Sequence, residues 1–360
     1  MMRNYAVLMA GGIGTRFWPR SRRESPKQVL NIIGKNSMIQ ATFKRLKGLV
    51  DQSNIYIVTN PNQENKIREQ LAELSVNNFV LEPFGRNTAP CIGLAAVKIV
   101  SEDPDGIMVV LPADHLITDV QEFQTVINLA IEFASKNGGL VTIGISPTFP
   151  SSAYGYIQRE SDAAEINGHK LYKVRTFAEK PNIETAELFL SSGDFYWNSG
   201  MFIWKASTIL EEISDKLPEI YEGLMEIKET LGSPQYDAKV EEVYRKIRGI
   251  SIDYGVMQTS DQVYVIPAKL GWNDVGSWEI VYDISEKDNN RITGEYQNLI
   301  NVDSSESYIY SPQKLVALVG IKNVVVVDTG DALLICKKSH SQDVKEVVEQ
   351  LIKKGMDDFM

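Results

Sequence analysis

The stretch Leu8-Met9-Ala10-Gly11-Gly12-Ile13-Gly14-Thr15-Arg16, followed by Pro19 and Lys27, decides which fold we predict for this chain. It completes an apolar run, Tyr5 to Ala10, that is typical of a buried strand and stops at the glycine cluster. Glycines let the backbone approach a ligand closely, and successive N–H groups in such a turn attract oxyanions. Arg16 and Lys27 add two cations, of which Arg can bind phosphate in bidentate fashion. The stretch therefore predicts a polyphosphate-binding turn at the end of a strand.

Two common phosphate motifs do not fit this turn. A Walker loop ends in Gly-Lys-Ser/Thr, whereas this turn ends in Gly14-Thr15-Arg16. The dinucleotide fingerprint needs a third glycine at the position of Arg16. A tight strand-to-helix turn that is merely basic stays open as the alternative.

Length and composition limit the remaining choices. A chain of 360 residues can bury a large core and form a second, smaller domain. The net charge of −10, from 37 Lys and Arg against 47 Asp and Glu, argues against nucleic-acid and anionic-membrane partners. Two distant cysteines and three scattered histidines predict neither a disulfide framework nor a zinc site. Without a signal-peptide pattern or a bilayer-length apolar run, we expect a cytoplasmic protein.

Apolar runs alternate with helical patterns over the first 290 residues. We predict strands at 55–59, 78–81, 107–111, 140–145, 174–181 and 263–267, and helices at 62–74, 90–100 and 120–135. The stretch 205–248 is predicted to be helical and to form a solvated layer over the second half of the core. The alternation predicts an α/β fold with a Rossmann-like, mostly parallel mixed sheet and helices on both faces. Ligands of such sheets bind at the carboxyl ends of strands, where the glycine turn lies.

The loop Glu82-Pro83-Phe84-Gly85-Arg86-Asn87-Thr88-Ala89-Pro90, called the 82–90 loop below, has the composition of a binding loop. A carboxylate such as Glu82 can accept hydrogen bonds from guanine N1 and N2. The alternative is a capped helix start, with Thr88 as N-cap and Pro90 in the first turn.

A carboxylate also follows the central strand, in Leu111-Pro112-Ala113-Asp114-His115. Asp114 is placed to hold Mg²⁺, although it could equally cap the next helix. We expect His115 to be a packed or hydrogen-bonded neighbour, because a phosphate oxygen needs no general base to act as a nucleophile.

Several blocks resemble known enzymes. The run Gly-Gly-x-Gly-Thr-Arg with Pro19 and Lys27 closely resembles the signature of sugar-1-phosphate nucleotidyltransferases, and Gly-Arg-Asn-Thr-Ala-Pro at 85–90 resembles mannose-1-phosphate guanylyltransferases. The resemblance covers nearly the whole chain, through blocks at 8–27, 82–90, 111–115, 177–181, 197–202, 251–257 and 271–278. One departure is Arg20, where many relatives carry leucine. The resemblance implies transfer of GMP from GTP to α-D-mannose 1-phosphate, which gives GDP-mannose and pyrophosphate, with Mg²⁺ as cofactor.

The resemblance also implies which residues form the site. Nucleotide binding is expected of Ala10, Gly11, Gly12, Gly14, Thr15, Arg16, Lys27, Glu82, Arg86, Asn87 and Thr88. Sugar-phosphate binding is expected of Gly155, Glu179, Lys180, Asn198 and Asp253. Asp114 and Asp274 are expected to hold the metal, and Arg16, Lys27, Lys180, Asp114 and Asp274 to carry catalysis. Taken alone, Lys180 beside Glu179 favours a solvated ion pair.

After residue 290 the pattern changes to short apolar runs separated by turn residues, at 298–302, 308–310, 315–318, 324–327 and 332–336. They predict a small β unit, for which related enzymes suggest a short left-handed β-helix. A terminal helix follows, with Val344, Val347, Val348, Leu351 and Ile352 on one face. We expect a catalytic domain over 1–290 and a β-rich domain over 291–360. So small a unit leaves apolar faces uncovered, which favours docking or dimerisation, and we expect a homodimer.

Two other functions stay open at this point. One is a sugar-1-phosphate nucleotidyltransferase that uses dTTP, UTP or ATP. The other is a non-catalytic homologue that senses GDP-mannose, although the charged residues of the implied site are all present.

Overall fold

The computed structural model describes residues 3–166 and 168–360, which form two compact units. Of the described residues, the first unit comprises 3–11, Phe43–Glu64 and Leu71–Asn273; the second comprises Gly12–Thr42, Asn65–Gln70 and Asp274–Met360. The predicted domain boundary at residue 290 stays a prediction.

The first unit is built on a mixed sheet. Its strands are β1 (Asn4–Met9), β2 (Ile55–Thr59), β3 (Phe79–Leu81), β4 (Ile107–Pro112), β6 (Leu140–Ile145), β7 (Tyr156–Ile166), β8 (His169–Ala178), β9 (Phe195–Lys205) and β10 (Val263–Ala268), with β5 (Leu116–Ile117) and β11 (Trp272–Asn273) as a separate antiparallel pair. In the sheet they lie in the order β3-β2-β1-β4-β9-β6-β10-β8-β7. The first four strands pair in parallel, as do β6 and β10, whereas β7, β8 and β9 run antiparallel to their neighbours. The predicted mixed sheet is confirmed, except that β8 ends at Ala178 rather than continuing to Pro181.

The helices are α1 (Met38–Arg45), α2 (Pro61–Gln70), α3 (Thr88–Glu102), α4 (Val120–Asn137), α5 (Ile183–Ser192), α6 (Ala206–Lys216), α7 (Pro218–Lys228), α8 (Tyr236–Lys246), α9 (Trp278–Ile284) and α10 (Val344–Lys353). None of the described helices combines the length and the apolarity needed to cross a bilayer.

Burial explains the apolar runs of the first unit. The segments Tyr5–Leu8 in β1 and Ile107–Val110 in β4 are fully buried, as expected of strands covered on both faces. The stretch 205–248 forms α6, α7 and α8, and these helices bury Ile213, Leu224 and Tyr244 in the same core. The three helices thus cover the core with an apolar inner face, as a layer over the core must, although the single predicted helical stretch is divided into three helices.

The second unit contains a sheet of β12 (Thr293–Val302), β13 (Tyr308–Val319), β14 (Val324–Asp328) and β15 (Leu333–Lys337). The first three strands pair in parallel, and β15 pairs antiparallel with β14. The two runs predicted at 308–310 and 315–318 are one strand, β13. The predicted terminal helix is α10; Val344, Val348 and Leu351 of its apolar face are buried, whereas Ile352, at the edge of that face, is 55% exposed. The handedness of a β-helix stays a prediction.

Candidate active site

In the second unit, the glycine turn depends on one residue with a left-handed backbone conformation, Gly14. Gly14 has φ 74° and ψ 49° and precedes a single 3-10 turn, Thr15–Phe17. A Cβ at Gly14 would lie 2.4 Å from the Cβ of Lys27, so a side chain there would collide with that segment. The Ser21 hydroxyl donates to the Gly14 carbonyl at 2.6 Å, and the Gln28 amide donates to the Gly12 carbonyl at 3.0 Å. These two hydrogen bonds fix the turn through its carbonyl oxygens.

The two predicted phosphate-binding cations have different surroundings. Arg16 is exposed, whereas Lys27 is buried and its Nζ donates to the carbonyl of Asp274 at 2.7 Å. Val275, the next residue, has φ 48°, a conformation that is unusual for a β-branched side chain. Such strain concentrates at functional sites. Within the second unit, Lys27 thus fixes the segment that carries Asp274, while the approach of Asp274 to Asp114 stays a prediction.

Arg20 packs within the second unit. Its Cζ lies 4.0 Å from the centre of the Tyr310 ring on β13, and its Nη2 donates to Asn31 Oδ1 at 2.7 Å. The stacked guanidinium therefore joins the segment after the turn to the C-terminal sheet.

In the first unit, the start of the glycine turn faces a buried carboxylate. A Cβ at Gly11 would lie 3.5 Å from Glu82 Oε2, which is an ordinary contact distance. Burial raises the pKa of Glu82 to about 7, although hydrogen bonds from the Tyr244 hydroxyl, at 3.1 Å, and the Cys91 thiol act to lower it. Ala10 is held by its N–H, which donates to the Val58 carbonyl at 2.8 Å. The carboxylate is thus fixed beside the backbone expected to bind nucleotide.

The rest of the 82–90 loop is held by neighbouring segments. Asn87, with φ 68°, accepts a hydrogen bond from the Thr88 N–H at 2.8 Å and caps α3. The alternative that placed Thr88 as the N-cap is therefore wrong; its hydroxyl instead accepts from the Ile252 N–H at 2.8 Å. Arg86 Nε donates to the Tyr244 carbonyl at 2.7 Å. Arg86 and Thr88 thus shape the loop, and their contact with a nucleotide stays a prediction.

Asp114 and His115 follow β4 as predicted. The Asp114 side chain is 35% exposed, and its Oδ1 lies 4.0 Å from His115 Nε2. Trp272 Nε1 donates to His115 Nδ1 at 3.1 Å, which places the proton of a neutral His115 ring on Nε2. The pairing of β11 with β5 brings Trp272 to this position. His115 is therefore a hydrogen-bonded, packed neighbour of Asp114, as predicted, whereas the sequence carried no signal for the contact with Trp272.

The five residues predicted to bind the sugar phosphate come together in the first unit. Glu179, 7% exposed, forms an ion pair with Lys180, whose side chain is 58% exposed. A Cβ at Gly155 would lie 2.3 Å from Glu179 Oε2 and 3.3 Å from Asn198 Cβ. The Asn198 amide donates to Asp253 Oδ1 at 2.8 Å, and burial followed by the Glu179 charge raises the pKa of Asp253 to about 6. Glu179 and Lys180 thus form the ion pair that the two residues alone suggest, but only the lysine is solvated, and the carboxylate is buried against Gly155.

A line of aromatic rings runs along the first unit beside this cluster. Trp272 packs edge-on to His115 and to Tyr154, with ring centres 5.4 Å apart in both cases. Tyr154 packs in the same way on Trp197 at 4.9 Å, and Trp197 on the half-exposed Phe149. The rings provide a rigid apolar wall between the Asp114 segment and Trp197, which directly precedes Asn198.

The side chains that could bind a metal ion fit an ion that takes some of its ligands from substrate oxygens. Among residues 3–166 and 168–360, no three His, Cys, Asp or Glu side chains group closely enough to hold an ion by themselves. Mg²⁺ is commonly bound by one or two carboxylates together with substrate phosphates and water. A half-exposed carboxylate such as Asp114 fits that pattern, and a protein-only cage is not required.

Comparison with known proteins places the chain in a family. Residues 5–291 match the nucleotidyl transferase family model, and residues 297–351 match the model of the MannoseP isomerase/GMP-like beta-helix domain. An Escherichia coli mannose-1-phosphate guanylyltransferase is 38% identical over 355 residues, which cover 96% of this chain and 75% of that protein. In Escherichia coli O157:H7, mannose-1-phosphate guanylyltransferase 2 is 41% identical, with 96% and 73% coverage.

A solved structure agrees with these matches. It is a Thermus thermophilus protein described as mannose-1-phosphate geranyltransferase, 31% identical, with a TM-score of 0.85 and coverage of 97% of this chain and 99% of that one. Nucleotidyltransferases generally use a divalent metal ion. The chain belongs to the mannose-1-phosphate guanylyltransferase family of nucleotidyltransferase enzymes.

Proposed function

We propose that this protein transfers GMP from GTP to α-D-mannose 1-phosphate and thereby forms GDP-mannose and pyrophosphate. The observation that carries the proposal is the cluster of Gly155, Glu179, Lys180, Asn198 and Asp253. It offers carboxylate and amide groups for sugar hydroxyls beside a cation for a phosphate. The names of the curated relatives support the same pair of substrates.

The reaction needs positioning more than it needs a base. An oxygen of the sugar phosphate forms a bond to the α-phosphorus of GTP in line, the bond from that phosphorus to the bridging oxygen breaks, and pyrophosphate leaves. The attacking oxygen is already anionic, so no proton has to be removed. The protein's part is to align two anions and to offset their repulsion.

Each cation has a separate task in this scheme. Lys180 lies at the exposed end of its ion pair with Glu179 and binds the phosphate of the incoming sugar. Arg16 and the buried Lys27 bind the leaving pyrophosphate, with Lys27 held in place by the Asp274 carbonyl. Glu82 accepts hydrogen bonds from guanine, and the backbone of Ala10, Gly11, Gly12, Gly14 and Thr15, with Asn87, lines the nucleotide.

Asp114 and Asp274 remain the predicted Mg²⁺ ligands. When bound, the ion would neutralise charge on the phosphates during transfer. The cytoplasmic location expected from the sequence likewise stays a prediction.

We further propose that the protein is a homodimer in which a second copy covers an apolar face of the C-terminal sheet. Ile300 and Val302 on β12 and Leu315 and Val319 on β13 are each more than half exposed. In the parallel register Val302 lies opposite Val319, so the side chains form one patch. Light scattering of the wild type and of Val319→Lys should show loss of the dimer in the variant; a monomeric wild type would contradict the proposal.

The experiment that tests the activity is a pyrophosphate-release assay with GTP, ATP, UTP and dTTP, each against mannose 1-phosphate and glucose 1-phosphate. We expect turnover with GTP and mannose 1-phosphate. Preferred use of another nucleotide would favour a different nucleotidyltransferase. Binding of GDP-mannose without turnover of any pair would favour the non-catalytic alternative.

One pair of variants tests the assignment of Asp274 in the same assay. Asp274→Ala should lower kcat by at least about a hundredfold with an unchanged melting temperature, because loss of a transition-state charge contact costs about 3 kcal/mol or more. Asp283→Ala, an exposed aspartate on α9, is the matched control and should keep wild-type activity. Near-normal turnover by Asp274→Ala in excess magnesium would refute the metal role.

A further inference from the structure

We propose that Tyr244, in the last turn of α8, is a positioning residue that sets the guanine selectivity of the 82–90 loop. The inference rests on the proposed function, since it assumes that Glu82 contacts the base of the nucleotide. Tyr244 lies more than 150 positions from that loop along the chain, in a helical stretch whose sequence predicts only a covering layer.

Tyr244 contacts every second residue in part of the 82–90 loop, namely Glu82, Phe84 and Arg86. The Tyr244 hydroxyl donates to Glu82 Oε1 at 3.1 Å, and the Tyr244 carbonyl accepts from Arg86 Nε at 2.7 Å. Its ring packs edge-on against Phe84, with the ring centres 6.2 Å apart. Tyr244 is fully buried, so its ring and hydroxyl have little freedom to move. The loop therefore takes its shape from α8 as well as from its own residues.

The hydroxyl contact orients the carboxylate of Glu82. Oε1 is engaged by Tyr244, and the Cys91 thiol of α3 forms a second, weaker hydrogen bond with the same carboxylate. Oε2 then lies toward the Cα of Gly11, on the nucleotide-binding segment. Guanine presents two adjacent N–H donors, whereas adenine presents an unprotonated N1 at the same edge. A fixed acceptor at this position distinguishes these two edges.

The same contact favours the ionised form of Glu82. The titratable groups that face this carboxyl are Tyr244 from α8 and Cys91 from α3, and no cation of the described chain contributes to its pKa. A hydrogen bond donated to a carboxylate lowers its pKa, so removal of the hydroxyl raises the pKa further. A protonated carboxyl would present an O–H to the base and lose the preference for guanine.

The test compares the wild type with Tyr244→Phe, which keeps the ring and the backbone carbonyl and removes only the hydroxyl. We expect KM for GTP to rise about tenfold with kcat changed less than about twofold, the size expected for one hydrogen bond to a charged group. The ratio of kcat/KM for GTP to that for ITP, which lacks the 2-amino group, should fall about fivefold or more. The acid limb of kcat/KM for GTP should move to higher pH.

Two controls separate positioning from a general loss of structure. Tyr236→Phe, two turns earlier on α8, removes a hydroxyl that is not among the groups acting on the Glu82 pKa and should leave every parameter at the wild-type value. Combined with Glu82→Gln, Tyr244→Phe should add less than about a twofold effect, because its action passes through the carboxylate. A structural role would instead give additive losses.

The outcomes are distinguishable. Wild-type protein without turnover of GTP and mannose 1-phosphate would refute the proposed function. An active wild type whose Tyr244→Phe variant keeps the GTP-to-ITP ratio and the pH profile would refute the positioning role alone, as would additivity with Glu82→Gln. A lower melting temperature of Tyr244→Phe with an unchanged ratio also counts against the inference.

Discussion

Replacement of Gly14 by alanine should disturb the glycine turn in two ways that the structure allows us to estimate. Alanine at φ 74° costs about 1 kcal/mol relative to glycine, because its Cβ crowds the backbone in the left-handed region. The new Cβ would also lie 2.4 Å from Lys27 Cβ, an overlap that forces the segment apart at a cost of about 1–3 kcal/mol. Together these effects predict a destabilisation of about 2–4 kcal/mol and, for a chain of 360 residues, a fall in melting temperature of about 3–5 °C.

The displacement of this segment should also move the ammonium group of Lys27. Lys27 would leave the Asp274 carbonyl, and we expect kcat/KM for GTP to fall about thirtyfold or more, the value of one lost charge-assisted hydrogen bond of about 2 kcal/mol. Calorimetry and the pyrophosphate-release assay measure the two effects. Gly12→Ala is the matched control for stability, because a Cβ there meets no atom within 4 Å and the melting temperature should not change. A Gly14→Ala variant with wild-type melting and activity would refute the reasoning.

Two further changes test the remaining parts of the site. Gly155→Ala places a Cβ 2.3 Å from Glu179 Oε2 and should displace that carboxylate. We expect KM for mannose 1-phosphate to rise about tenfold and KM for GTP to stay unchanged. A variant with a higher KM for GTP alone would contradict this prediction. Glu82→Gln should change the pH dependence of stability. Because burial raises the folded-state pKa of Glu82 from 4.5 to about 7, the native state binds more protons between these values, and wild-type stability falls as pH rises through that window by about 3 kcal/mol. Glu82→Gln lacks this loss. Its free energy of unfolding relative to that of the wild type, measured by urea denaturation, should therefore be more favourable at pH 8 than at pH 4.5. The same difference at both pH values would disprove the assignment.

Local features of the fold could be predicted well from the sequence. Ile55–Thr59 and Leu140–Ile145 form strands with the predicted bounds, because a fully buried strand needs an uninterrupted apolar run. Gly14 has the positive φ that the turn pattern suggests. These features depend on residues next to one another in the chain, and their physical causes are therefore visible in a short window of sequence.

Helix caps and strand ends were less predictable for a physical reason. Thr88 and Asn87 are both good N-caps, and the choice fell to Asn87 because the Thr88 hydroxyl accepts a hydrogen bond from the Ile252 N–H. The apolar runs at 308–310 and 315–318 look like two strands, yet β12 pairs with both of them, so they form one strand. In both cases a distant segment decided between local structures of similar energy.

By itself, the sequence determined the glycine turn, the apolar strands and the family blocks, since these depend on residue type and spacing. Only the tertiary structure decided that Tyr244 orients Glu82 and that Trp272 sets the proton position on His115. Neither aromatic residue belongs to a pattern that indicates such a role. Hydrogen-bond partners depend on which side chains meet after the chain has packed, and packing joins residues whose separation in sequence carries no information about their distance in space.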